Sequence, residues 1–328
     1  MDDGTVLKVE GLCTQFSTKE GVVKAVNGVD LSLKPATVLG IVGESGSGKT
    51  IMALSIINLV PYPGKVVKGK VMFQGRDILT MDQASLRNLR GNEIAMVFQD
   101  AMAGLNPILT VGSQIAELLT SHLPVSKKEA RQLSVEALRR VDMPDPDRVI
   151  DRYTYELSGG MCQRVMLAIA MALDPTVLIA DEPTTGLDVT IQADILNRIR
   201  RLKDENGAGI LLISHDMGVM AQMADEVAVM YGGYIVERAE TVTLFQRPLH
   251  PYTWALLHSI PRLDSAELTL RSLPGSPPDL LNLGDECPFL PRCNKAMGVC
   301  RTKPMPKLVE AEPGHFVACY NLVRHEWD

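Results

Sequence analysis

The chain has 328 residues, 46% of them from the hydrophobic set AVILMFWYC, which is enough for about two domains' worth of core and excludes disorder throughout. Lys and Arg number 33 against 39 Asp and Glu, a formal charge of -6 and the wrong sign for a groove that tracks nucleic-acid phosphates. The acidic start, Met1-Asp2-Asp3-Gly4, lacks the order of a secretory signal, and the most apolar stretch, Val165 to Leu173, reaches about half of the ~20 residues of a membrane span. A soluble chain, or one held at a membrane through partners, is expected.

Short β-rich segments are predicted over Val6 to Val9, Val22 to Val26 and Val29 to Leu33. A buried-type strand, Val38 to Val42, then runs into a glycine-rich turn and a helix from Lys49 to about Leu59, stopped by Pro61, Pro63 and Gly64. From Val111 to Val141 the apolar spacing turns helical, with a break at Pro124, which predicts an inserted helical subdomain. Strand and helix then alternate: helix Cys162 to Leu173, strand Val177 to Ala180, helix Val189 to Asp204, strand Ile210 to Ser214, and strands near Val227 to Met230 and Tyr234 to Val236. Such alternation implies a mostly parallel sheet covered by helices. Beyond about Thr241 lie over half of the chain's 20 prolines, so regular elements must be short there.

Gly43-Glu44-Ser45-Gly46-Ser47-Gly48-Lys49-Thr50 fits G-x-x-x-x-G-K-[ST] and falls between an apolar strand and a helix, as such a loop must. Its glycines let backbone N–H groups converge on phosphate oxygens, and the helix N-terminus adds partial positive charge. In such a loop Lys49 holds the β and γ phosphates of ATP and Thr50 ligates Mg²⁺. The strand Val177 to Ala180 ends in Asp181-Glu182, at the sheet's carboxyl edge where ligands of open α/β sheets bind. Asp181 suits the Mg²⁺ shell, and Glu182 is placed to polarise the attacking water. His215, following the strand Ile210 to Ser214, is expected to reach the γ phosphate from the same edge. Leu157-Ser158-Gly159-Gly160-Met161 precedes a further helix and offers a second anion cradle, either a tight turn or part of a site for a nucleotide bound by another subunit.

In this order, phosphate loop, Gln99, Leu157 to Gly160, Asp181-Glu182, Pro183 to Asp188 and His215, the chain resembles an ATP-binding cassette (ABC) ATPase over about residues 5 to 240. The resemblance implies an α/β fold of the P-loop NTPase (ABC) type, with a β-rich flank, an inserted helical subdomain and a C-terminal metal-binding extension. The implied boundaries are 1–97 and 163–240 for the two parts of the nucleotide-binding core, 98–162 for the helical subdomain with its signature, and 241–328 for the extension. It further implies a head-to-tail dimer in which Ser158, Gly159 and Gly160 complete the opposite site, closing with ATP and opening on hydrolysis. By the same resemblance Gln99 touches Mg²⁺ and moves with the subunit interface, Asp188 lies in the loop passing between the two sites, and Phe16 stands where an aromatic ring underlies adenine.

Within the family the chain is most similar to the ATPase subunits of bacterial dipeptide and oligopeptide importers, over nearly its whole length. The residues that carry this are Gly43 to Thr50, Phe98-Gln99-Asp100 through Leu105-Asn106-Pro107, Leu157 to Arg164, His250-Pro251-Tyr252-Thr253 and the cysteine-containing tail. Ala101, Ala103 and Gly104 depart from the bulkier or more polar residues of that loop, and Thr50 stands where Ser is frequent. The likeness implies ATP hydrolysis at the cytoplasmic face of the inner membrane, driving import of di- or oligopeptides. The implied partners are two permease subunits, a second ATPase of the same or different sequence and an external substrate-binding protein, with no nucleic acid. Residues Asp100 to Ile108 are expected to meet a short permease helix. Related systems move nickel or glutathione, so the cargo stays open at this point. A soluble ABC ATPase of DNA maintenance would carry a long coiled coil and one of translation a second cassette, and neither feature is present. Intact Glu182 and His215 disfavour a sensor that binds nucleotide without hydrolysing it.

Four of the six cysteines, Cys287, Cys293, Cys300 and Cys319, cluster in the proline-rich tail, and four thiolates suit either tetrahedral Zn²⁺ or an iron–sulfur cluster. Their spacing matches neither common pattern. The family resemblance implies a structural [4Fe–4S] cluster. Cys13 and Cys162 read as small buried residues, Cys162 at a helix start being somewhat acidic.

Overall fold

The computed structural model describes residues 4–259 and 273–323; the acidic start at Met1 to Asp3 and Pro261 lie outside them. In chain order the strands are β1 (Leu7–Ser17), β2 (Val22–Leu33), β3 (Val38–Val42), β4 (Gly64–Phe73), β5 (Arg76–Asp77), β6 (Ile94–Val97), β7 (Val177–Asp181), β8 (Gly209–Ile213), β9 (Glu226–Tyr231), β10 (Tyr234–Glu240), β11 (Val309–Glu312) and β12 (His315–Val317). The helices are α1 (Lys49–Ile56), α2 (Gln83–Leu89), α3 (Ala101–Gly104), α4 (Val111–His122), α5 (Lys127–Arg140), α6 (Pro146–Val149), α7 (Gly159–Met171), α8 (Val189–Asn206), α9 (Met217–Met223), α10 (Thr241–Gln246), α11 (Pro251–His258) and α12 (Gly298–Thr302). They fall into two compact units: one holds residues 4–7, 32–38 and 72–213, the other 8–31, 39–71, 214–259 and 273–323.

In the first unit β6, β7 and β8 pair in parallel, Ile94 opposite Val177 and Val177 opposite Gly209. Every residue of β7 and β8 is buried, which is why β8, and β7 up to its terminal Asp181, read as continuous apolar runs rather than alternating ones. β6 was not anticipated, since four residues give no readable period, yet it delivers Phe98 and Gln99 to the carboxyl edge. The helical reading of 111–141 resolves into α4 and α5 on either side of Pro124. α5 starts where it does because Ser126 and Glu129 form a reciprocal cap. α4, α5 and α7 pack on one another. α7 begins at Gly159, three residues before the expected Cys162, because the Ser158 hydroxyl accepts from Met161 N and caps it. The apolar stretch 165–173 lies mostly on this helix and fills the core. Among the described residues no helix is long and apolar enough to cross a membrane.

In the second unit β2, β1 and β4 are neighbours in that order. The two segments expected over 22–33 form a single strand, β2, which absorbs Gly28 at φ +65°. A hydrogen bond of 2.7 Å between Thr14 Oγ and Ser55 Oγ ties β1 to α1. β3 runs parallel to β9, and β9 turns back into antiparallel β10 through Gly232 and Gly233, both at positive φ as a tight hairpin requires. β12 pairs with β10 and β11 with β12, so the extension lengthens this sheet. It also lines β2, with Lys24 N donating to Leu280 O and Asn282 N to Val22 O, each at 3.0 Å. The buried Glu237 carboxylate gathers the start of α11 and β12: it accepts from Leu249 N (2.6 Å) and His250 N (2.9 Å) and lies 2.7 Å from His315 Nε2.

Candidate functional site

In the second unit the phosphate loop leaves β3 at Gly43 and enters α1 at Lys49. Gly48 caps that helix at φ +103°, and a Cβ there would stand 2.2 Å from Ala25 O, so only glycine fits. The loop closes round the buried Lys49 ammonium, which donates to Gly43 O (2.8 Å), Glu44 O (2.9 Å) and Ser47 Oγ (3.3 Å). A polyphosphate entering the loop therefore meets a cation already placed at its centre. The β9–β10 turn supports the loop, Gly233 N donating to Ser47 O at 2.9 Å. Ser45, Gly46 and Thr50 are exposed, with Gly46 at φ +79°. Glu44 is engaged within the protein: its amide donates to the Tyr252 hydroxyl (2.9 Å), and its carboxylate accepts a fork from Arg292 at 2.6 and 3.0 Å. Nothing in the local sequence signals that second contact, because the partners are 248 residues apart.

Two other expected residues lie in this unit. His215 is exposed in the connection between β8 and α9, beside Asp216, whose side chain caps α9. Phe16 is half-buried on β1 with its ring over Gly64, where a Cβ would meet Phe16 Cε1 at 2.5 Å.

The first unit gathers the rest. Asp181 ends β7 and is 1% exposed, and Glu182 follows it with φ +46°, a left-handed backbone that costs a non-glycine residue about 1 kcal/mol or more. Glu182 Oε2 accepts from Gln99 Nε2 at 3.0 Å and from the Thr185 hydroxyl at 2.8 Å. Gln99 thereby meets Glu182 through its amide N–H and keeps its carbonyl oxygen for another partner. Thr185 was missed as a partner of the carboxylate, although its place three residues on allowed it. Ser158 and Gly159 are exposed at the N-terminus of α7, whereas Gly160 is buried against Ile191, 2.8 Å from where a Cβ would lie. Asp188 caps α8, accepting from Thr190 N (3.1 Å) and Ile191 N (3.0 Å).

All four tail cysteines line one small, partly open cavity of the second unit, about 20 Å³ in volume and walled by His250, Phe289 and Leu290. None is in a disulfide. Burial pushes the Cys287 thiol up to about 11 and Cys319 up to about 12, and raises Cys293, with the neighbouring thiols adding to each. Among the described residues no group of three or more His, Cys, Asp or Glu is placed to hold a metal ion. Cys162 corrects an expectation: it lies inside α7, and burial raises its thiol instead of making it acidic. Cys13 is only half-buried.

Known proteins match this chain along nearly all of its length. A family model described as ABC transporter matches residues 26–185, and one described as oligopeptide/dipeptide transporter, C-terminal region, matches 236–300. The chain is 49% identical to a probable peptide ABC transporter ATP-binding protein of Sinorhizobium fredii, over 96% of this chain and 94% of the relative. It is 44% identical to the oligopeptide transport ATP-binding protein OppD of Escherichia coli, over 97% and 94%, and 45% identical to AppD of Bacillus subtilis, over 96% of each. Among solved structures it is similar to the dimeric, post-hydrolysis state of the ATP-binding cassette MJ0796 with ADP and Pi, at TM-score 0.64 and 26% identity, over 72% of this chain and 98% of that one.

Proposed function

We propose, from the premise that the chain belongs to the ATP-binding subunits of peptide ABC transporters, how its residues divide the work of coupling ATP hydrolysis to import of di- or oligopeptides. Lys49 and the backbone N–H groups of 43–50 bind the β and γ phosphates, and Phe16 underlies adenine. Thr50, the Gln99 carbonyl and Asp181 would hold Mg²⁺; this all-oxygen set suits that ion, which neutralises phosphate charge when bound. Glu182 orients and polarises the attacking water, Gln99 and Thr185 hold its carboxylate in one rotamer, and His215 reads the γ phosphate. The observation that carries this assignment is the strained, doubly hydrogen-bonded Glu182 directly after buried Asp181.

Glu182→Gln keeps the shape and removes the base. It is expected to lower kcat by about 10²–10⁴-fold while MgATP still binds. Turnover equal to that of the parent would reject the assignment.

Ser158, Gly159 and Gly160, at the exposed start of α7, complete the nucleotide site of a second ATPase subunit. Residues 100–108, where Met102 is 57% and Ile108 79% exposed, take the short permease helix. In this reading 1–97 and 163–240 form the nucleotide-binding core, 98–162 carries the permease contact together with Gln99 and the Ser158 turn, and 241–328 is the extension. The assembly holds two permease subunits at the cytoplasmic face of the inner membrane, fed by an external binding protein. The relatives at 44–49% identity bear names of peptide or oligopeptide transport, which favours peptide over nickel or glutathione as cargo.

Cys287, Cys293, Cys300 and Cys319 would hold a [4Fe–4S] cluster, which cross-links the extension when bound. What supports this reading is that all four thiols line the same cavity, as ligands of one shared centre would. Anaerobic purification should give a brown protein whose visible band dithionite bleaches. A colourless protein carrying zinc would reject the cluster.

A further inference from the structure

Arg292 ends the short turn Leu290–Arg292 directly before Cys293, and its side chain is only 6% exposed. Every arm of its guanidinium is used: Nη1 and Nη2 fork onto the Glu44 carboxylate at 2.6 and 3.0 Å, Nη1 also reaches the Tyr231 hydroxyl at 3.1 Å, and Nε donates to Pro274 O at 2.9 Å. A buried two-pronged pair of this kind fixes orientation as well as charge. The amide of the same Glu44 is held by Tyr252, whose ring packs on Phe289 and Tyr231. Phe289 and Cys293 line the cysteine cavity. Glu44 O in turn accepts from the Lys49 ammonium. One residue of the phosphate loop thus joins the wall of the cysteine cavity to the lysine that meets phosphate.

The charges give this chain of contacts a sign. A bare carboxylate at Glu44 would repel a polyphosphate bound by the same loop, and the guanidinium cancels it. We propose that Arg292 is a positioning residue of the nucleotide site: it neutralises and orients Glu44, so that nucleotide affinity depends on the order of the cysteine extension. The inference rests on the phosphate-loop reading and deepens it.

The test is equilibrium binding of MgADP to the full chain, by calorimetry, across a mutant cycle. Arg292→Gln is expected to raise Kd about tenfold or more, since it leaves Glu44 uncompensated. Arg292→Lys, which keeps the charge and loses the fork, should fall between. Removing both charges, Glu44→Gln with Arg292→Gln, should bring Kd back to within about threefold of the parent, which lost packing alone would not do. Cys293→Ser should weaken binding in the parent background and have little further effect in the double variant. Binding by Arg292→Gln within about twofold of the parent, or a double variant no better than the single one, overturns the inference. Should Arg292→Gln fail to fold, the Lys and double variants carry the same comparison. A parent that does not bind MgADP at all would instead overturn the phosphate-loop reading.

Discussion

The phosphate loop and the cysteine-lined cavity of the extension are both concave, and they are built by opposite means. The loop is contiguous: residues 43–50 leave a buried strand, turn on glycines and enter a helix, and the ligand-facing groups are backbone N–H and one lysine. The extension is dispersed: Cys287, Cys293, Cys300 and Cys319 come from separate short segments that reach one cavity only through packing against Phe289, His250 and Pro251. A site made of local backbone geometry survives as long as its own turn forms. A site made of long-range packing depends on everything that holds its walls.

That contrast is broken most severely at Gly48. Gly48→Ala puts a Cβ 2.2 Å from a backbone carbonyl at a φ of +103°, so the turn itself must move. Nucleotide binding is expected to be lost outright, with destabilisation of about 2–4 kcal/mol from strain and displaced backbone. Calorimetry with MgADP and a thermal melt measure both, and a Gly48→Ala variant that binds as the parent does would show that the loop tolerates another geometry.

The next effect is on the extension side and depends on pH. His250 is buried, with its basicity lowered to about 4 by loss of solvation, the Glu237 carboxylate nearby opposing this shift. Its Nδ1 accepts from Tyr252 N at 3.0 Å and caps α11, a bond that needs the neutral ring. The folded protein therefore binds fewer protons than the unfolded chain between about pH 4 and the ordinary histidine value of 6.5. Stability is complete above about 6.5 and falls as the pH drops through that window, by up to about 3 kcal/mol. His250→Asn retains a cap without the titration and should flatten the dependence of thermal midpoint on pH. Equal slopes for the two proteins would remove His250 as the cause.

What the sequence made legible follows the same division. Lys49, Gly48 and Thr50 could be placed from eight residues and their neighbours, since the chemistry lies in the local turn. Asp181 and Glu182 were legible because an apolar strand has to end before them, but the strained φ of Glu182 and the Thr185 hydrogen bond belong to the folded turn. β6 escaped because four residues carry no period, and the two segments of β2 were separated because Gly28 looks like a break. The Glu44–Arg292 pair had no local trace: an acidic residue inside a phosphate loop is unexplained until the arginine of the extension arrives beside it.

The smallest effect separates a cap that only holds a helix from one that is also part of a site. Ser126 and Ser158 both cap helices of the first unit, α5 and α7, and replacing either by alanine should cost roughly 1 kcal/mol of stability. Ser126 sits in a reciprocal cap with Glu129, so its hydroxyl is fully used within the turn. Ser158 makes only a long bond of 3.4 Å to Met161 N and is exposed beside Gly159, leaving its hydroxyl and the first N–H groups of α7 open to an anion. Ser126→Ala should therefore lower the thermal midpoint and leave ATP turnover of the assembled transporter as it was. Ser158→Ala should lower the midpoint by about as much and turnover by tenfold or more, because the γ phosphate of the opposite site loses a donor. Parallel losses in both variants would reduce Ser158 to a helix cap and leave the second glycine-rich turn without a role in catalysis.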